Sequence, residues 1–191
     1  MQRIIPFTFL VILVGIIVFA TGCGSTSGNE TASGNRLYFN LQSFFQSEID
    51  RLTAQKTALQ KTVALNGETE TQQVPDVDWN KELSLFMMSD INKPAWTSKY
   101  TADTLQQTGK TQITYAANDP ALRTQKITLL FEGNATTPAT VSITNRVENF
   151  IYQLSENLIY QTQQGYEINT TQKVTLMKQQ QYGLKAVFTN L

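Results

Sequence analysis

The chain has 191 residues, 41% of them hydrophobic and 16% charged, with 15 Lys and Arg balancing 15 Asp and Glu, no His and one Cys. That length suits one domain with a real core, and a neutral chain without basic runs offers no field for nucleic acid. The absence of His removes His-based acid–base chemistry, Ser-His-Asp and Cys-His nucleophiles, and nearly every zinc site. Met1-Gln2-Arg3 then sets one positive charge ahead of Ile4 to Ala20, IIPFTFLVILVGIIVFA, apolar apart from Thr8 and broken by Pro6 and Gly15. A membrane-spanning helix needs about 20 apolar residues. This run is shorter and ends in small residues, the shape of a secretory signal.

Ala20-Thr21-Gly22-Cys23 closes the run. It resembles the lipobox of bacterial lipoproteins, in which a small residue precedes a cysteine that becomes the new N-terminus. Ala20 stands where lipoboxes usually carry Leu. The alternative, an ordinary signal cleaved near Gly22, leaves a lone thiol in an oxidising compartment, which is a liability. The resemblance implies a signal peptide over 1–22 and lipidation at Cys23. It also implies anchoring by diacylglycerol plus an amide-linked, palmitate-type chain, because a single acyl chain holds a protein only marginally. In lipoprotein sorting, an Asp directly after the lipidated Cys marks inner-membrane retention in many Gram-negative bacteria. Gly24 stands there, which implies the outer membrane. One acid, Glu30, in the stretch that follows implies its periplasmic face rather than the cell surface.

Residues 23–35 continue as Cys23 followed by GSTSGNETASGN, with no apolar side chain larger than Ala32. The composition reads as a flexible tether, leaving 36–191 as one domain. Leu37, Leu41, Phe44, Phe45, Ile49 and Leu52 then recur at three- and four-residue steps, predicting an amphipathic helix of about four turns with Asn35 as N-cap. From Thr57 the period changes to two, and Asn66-Gly67 predicts a hairpin between Leu59–Leu65 and the polar strand 68–74. Asp78 is placed to cap a second helix with Trp79, Leu83, Phe86 and Met87 on one face, stopped at Pro94. Beyond it, 112–117, 125–131 and 139–147 read as strands, separated by Asn118-Asp119-Pro120 and Gly133-Asn134. Residues 150–160 fit a strand and also a helix. The strand is preferred because 166–177 and 182–188 keep the same period. Early helices and late antiparallel strands predict an α+β fold, with an N-terminal helix and a second short helix packed on a curved antiparallel sheet.

Few residues invite chemistry. Ser98-Lys99 and Ser84 near Lys81 lie in no recognisable nucleophile motif. Asp76 and Asp78 flank a helix start, where negative charge is expected for capping alone. No calcium loop or phosphate cradle occurs, and no cofactor or metal is expected. Three Asn-x-Thr sequons carry no meaning behind a bacterial signal, and Asp103-Thr104-Leu105 resembles a short O-glycosylation acceptor that matches often by chance. Trp79, Trp96 and Tyr100 are the candidate ligand-binding residues, with core packing the more economical account of both tryptophans.

The expectation is a non-catalytic binding or structural module, anchored at a membrane and contacting another envelope component, with an envelope protein or an apolar ligand as the possible partner. The alternative is a periplasmic carrier of lipids or other apolar ligands, since a curved sheet backed by an early helix resembles the periplasmic lipoprotein and lipid carriers in architecture. An apolar cavity above about 300 Å³ favours the carrier. A filled core with an exposed apolar patch favours the interaction module.

Overall fold

In the computed structural model, which describes residues 37–189, the chain first forms helix α1, Leu41–Ala54. Asn40 caps it by accepting from the Ser43 amide at 3.1 Å. The expected cap, Asn35, lies outside the described residues. The buried carboxylate of Asp90 also accepts from the Leu41 amide at 2.8 Å, satisfying a donor that the helix itself leaves open. Leu41, Phe44, Phe45, Ile49 and Leu52 face inward, as their spacing predicts.

Nine antiparallel strands follow. They are β1 Ala58–Leu65, β2 Glu68–Val74, β3 Tyr100–Gln107, β4 Lys110–Ala117, β5 Thr124–Glu132, β6 Thr140–Glu148, β7 Tyr152–Gln161, β8 Gly165–Val174 and β9 Gln180–Thr189. They form one open, curved sheet in the order β2-β1-β9-β8-β7-β6-β5-β4-β3. The fold is therefore the α+β arrangement expected from the sequence. The β1–β2 hairpin turns at Asn66 and Gly67, both at positive φ, as an Asn-Gly turn requires. Residues 152–161 are strand, which resolves the ambiguous segment.

Two elements differ from the sequence reading. The second helix is two single turns, α2 Trp79–Glu82 and α3 Ser84–Met87, divided where Leu83 leaves helical geometry at φ −98° and ψ 2°. Strand β3 was not foreseen: after Tyr100 all its residues are exposed, so no apolar alternation marks it. A 3-10 turn at Pro94–Trp96 leads into it.

Register alone sorts the two faces. Ile127, Ile143, Leu158, Ile168 and Leu184 lie side by side across β5–β9, as do Leu129, Val141, Tyr160, Tyr166 and Ala186 one pair further along. These two rows carry most of the sheet's share of the core, and α1, α2 and α3 cover them. The residues between them, such as Thr128, Ser142, Ile159 and Glu167, face the other way. The edge strands β2 and β3 are almost wholly polar and exposed, which discourages pairing with another sheet edge. Gly165 is fixed by sterics: a Cβ there would sit 2.0 Å from the Ala186 carbonyl oxygen.

Candidate functional site

The three aromatic residues singled out in the sequence do not form one site. Trp79 is 3% exposed and meets Phe188 of β9 edge-on, with ring centroids 5.5 Å apart. Trp96 and Tyr100 adjoin at the opposite end of the strand order, 6.2 Å between rings. Trp96 is half-buried, and the Lys93 ammonium stands 4.1 Å above its ring. Tyr100 is buried and donates to the Thr124 carbonyl at 2.9 Å, and burial pushes its phenol up to about 12. Tyr38 packs edge-on against both Tyr100 and Tyr115 and donates to the Thr97 carbonyl at 2.9 Å. This corner ties the segment before α1 to the start of β3. Trp79 and Tyr100 belong to the buried core, and Trp96 packs against it from a half-buried position.

The inner face carries a continuous aromatic layer. Phe44, Phe45, Phe86, Tyr160 and Tyr166 form a continuous run of ring contacts at 4.9 to 6.1 Å between the helices and the sheet. Three glutamates reach this layer, and each is held by a cation and a neutral donor. Glu48 accepts from Arg51 at 2.7 and 3.0 Å and from the Tyr160 hydroxyl at 2.5 Å. Glu82 takes Lys61 at 2.8 and 2.9 Å and the Tyr166 hydroxyl. Glu156 takes Arg123 at 2.7 Å and the Asn145 amide at 3.3 Å. Burial, then the hydrogen bond to glutamate, raises the phenols of Tyr160 and Tyr166 far above their ordinary value. Each group joins elements distant in sequence: α1 to β7, α2 to β1 and β8, and the β4–β5 turn to β7. Through these partners the three carboxylates fasten helices and loops to the sheet.

The other sequence candidates are occupied locally. Asp78 caps α2 and pairs with Lys81 at 3.1 Å, and this contact lowers its pKa. Ser84 donates to the Lys81 carbonyl at 2.7 Å, and Lys99 stands 3.7 Å from Asp119. Among the described residues no group of three His, Cys, Asp or Glu side chains converges, and no helix is long and apolar enough to cross a membrane. Cys23 and the lipobox lie outside the described residues.

The feature that sequence reasoning missed is at one end of the strands. Phe150 is 91% and Leu176 102% exposed, and Ile151 and Met177 are also exposed. Phe150 and Ile151, taken with the alternation of β7, instead occupy the β6–β7 turn. Met177, taken as the end of β8, lies in the β8–β9 turn. The two turns are joined: the Thr175 amide donates to the Ile151 carbonyl at 2.8 Å, and its hydroxyl lies 3.1 Å from the Phe150 carbonyl. Four large apolar side chains therefore crown one paired tip. Asn149 builds the first turn by accepting from the amides of Ile151 and Tyr152 at 3.0 and 2.9 Å. Leu176 is held at φ 68°, a conformation that a bulky side chain adopts only at a cost.

Behind the tip, on the sheet face opposite the helices, lies an open groove of about 450 Å³ lined by Thr144, Arg146, Gln153, Ser155, Thr171 and Lys173, among others. Leu154 and the aliphatic stems of its long polar side chains also line it. No protein family, curated protein or solved structure compared with the chain matches it.

Proposed function

We propose that this chain is a lipid-anchored protein of the bacterial cell envelope, held through Cys23 at the periplasmic face of the outer membrane. Its folded domain is a non-catalytic module that contacts another envelope component. The observation that carries this reading is the paired tip of Phe150, Ile151, Leu176 and Met177. Exposed apolar side chains scattered singly are ordinary, but a group of four on two joined turns marks a surface that meets something. The aromatic layer supports the module over the carrier, because rings in contact at 4.9 to 6.1 Å pack between the helices and the sheet.

Two measurements test this together. Mass spectrometry of protein extracted from membranes is expected to find an acylated N-terminal peptide beginning at Cys23. An unmodified mature N-terminus in the soluble periplasmic fraction refutes the anchor. Fluorescent fatty acids are expected not to bind the domain, and saturable binding at a stoichiometry near one refutes the module in favour of the carrier.

A further inference from the structure

We propose that the component met by the paired tip is the bilayer itself: the β6–β7 and β8–β9 turns insert into a membrane surface whose anionic headgroups lie against the basic side chains around them. The proposal rests on the reading that the domain works at a membrane and names what its apolar end touches there.

Three independent observations converge. The first is shape and chemistry. The four apolar side chains project from turns stiffened by the Thr175 and Asn149 hydrogen bonds, so inserting them needs little further ordering of the backbone. Each buries in the acyl boundary with roughly tenfold or greater gain, as large apolar side chains do when removed from water.

The second is charge. The two segments that form the tip and its flanks, 146–153 and 171–180, carry Arg146, Lys173 and Lys178 against the single acid Glu148. Glu148 pairs with Arg146 and also accepts from Gln153, which leaves the lysines as the net field. Lys173 lines the groove directly behind the tip, together with hydroxyl and amide side chains suited to phosphate oxygens. Lysines around an apolar wedge keep their ammonium groups at headgroup level.

The third is where the chain enters. Tyr38 donates to the carbonyls of Thr97 and Tyr100. Tyr100 opens β3 opposite Ala117, the last residue of β4, so this corner lies at the strand end that also carries the β4–β5, β6–β7 and β8–β9 turns. The thirty-six residues that precede Leu37, with Cys23 among them, therefore join the domain at the end that bears the apolar tip. The strands that bear the tip lie three to six strands from the entry corner, about 15–30 Å along the sheet.

The test uses the acylated protein purified from membranes and reconstituted in phosphatidylethanolamine vesicles with or without phosphatidylglycerol. Cys23 is the chain's one cysteine, and a diacylglycerol thioether blocks its sulfur while Cys23→Ser removes it from unacylated protein, so Met177→Cys, or Asn134→Cys in the β5–β6 turn at the far end, supplies a unique thiol for an environment-sensitive fluorophore. The label at 177 is expected to shift to the blue and to be quenched by spin-labelled lipid, and the label at 134 to do neither. Adding Phe150→Asp and Leu176→Asp is expected to cut quenching at 177 at least tenfold. Lys173→Glu and Lys178→Glu, or omitting phosphatidylglycerol, should weaken it about fivefold per charge. A label at 177 that stays in water on acylated, vesicle-bound protein overturns the proposal. So does a label that is shielded in cells by cross-linking to a protein but not by lipid. Quenching that ignores phosphatidylglycerol overturns the headgroup half. If the N-terminus proves unacylated while the label still inserts, the anchor reading fails and the tip proposal stands.

Discussion

Trp79→Ala is the sharpest perturbation of the core. The indole is 3% exposed, lies against Phe188, and sits in the first turn of α2 where Asp78 caps it. Truncation removes a large buried ring and leaves a cavity between α2 and β9 that a four-residue helix held at both ends closes poorly. Such changes cost about 3–5 kcal/mol. For a domain of this size each kcal/mol shifts Tm by about 2–4 °C, so a fall of roughly 10–15 °C is expected. Trp96 serves as the contrast. It is half-buried, its ring already lies under the Lys93 ammonium, and its side of the domain borders solvent. Trp96→Ala should cost only about 1–2 kcal/mol, from lost area and a lost cation–π contact. Urea titration of both variants provides the assay, since each retains the other tryptophan as a fluorescent reporter. Equal costs, or a Trp79→Ala cost below about 1 kcal/mol, would refute the assignment of Trp79 to the packed core. A Trp79→Ala domain that kept its stability but lost an apolar ligand would restore the carrier.

Stability should fall steeply above pH 10. Tyr100, Tyr160 and Tyr166 all have phenols raised above the ordinary value of 10.0, so above pH 10 the unfolded chain releases protons that the folded chain keeps. The contribution is whole below pH 10 and is lost as pH climbs toward 12, at up to about 4 kcal/mol per pH unit for three groups; a flat denaturation midpoint between pH 10 and 11.5 contradicts this. Leu176→Gly should raise stability by about 1 kcal/mol, because glycine accepts the φ of 68° without strain, while the domain loses part of its apolar tip; a destabilised variant would show that Leu176 packs rather than projects. Gly165→Ala should cost about 3 kcal/mol or more, read as a lowered Tm, since its Cβ meets the Ala186 carbonyl and forces β8 from β9; a neutral result would mean the two strands are not so closely held.

The sheet was legible wherever burial imposed a period. Alternation in 112–117, 125–131 and 139–147 survives because one face of each strand packs beneath the helices. The Asn66-Gly67 turn and the Asp78 cap were legible for local reasons, since turn and cap chemistry acts over three or four residues. Strand β3 was hidden because both of its faces are wet and its sequence carries no contrast. The capping of α1 by Asp90 and the Glu48–Tyr160 bond join residues 49 and 112 positions apart, beyond the reach of any local pattern. The apolar tip was misread for a subtler reason. Phe150, Ile151 and Met177 are hydrophobic and adjoin strands, so they look like core, and hydrophobicity alone does not say which way a turn points. Asn149, a turn former directly before two large apolar residues, was the available signal. Of the two tryptophans, Trp79 is buried and Trp96 half-buried. Their division between two ends of the sheet was not legible, because Pro94 separates Trp79 from Trp96 by a crossing of the inner face that only the sheet order reveals.

If the strand end carrying the two apolar turns is the working surface of a membrane-held module, the bilayer should shield its amides. Hydrogen–deuterium exchange of the full protein, compared between its native membrane and detergent, reads that shielding. Protection in the membrane concentrated at 149–151 and 175–178, with 107–110 and 132–137 at the opposite end unchanged, is the predicted result. Protection at that opposite end, or an identical pattern in membrane and detergent, would contradict it.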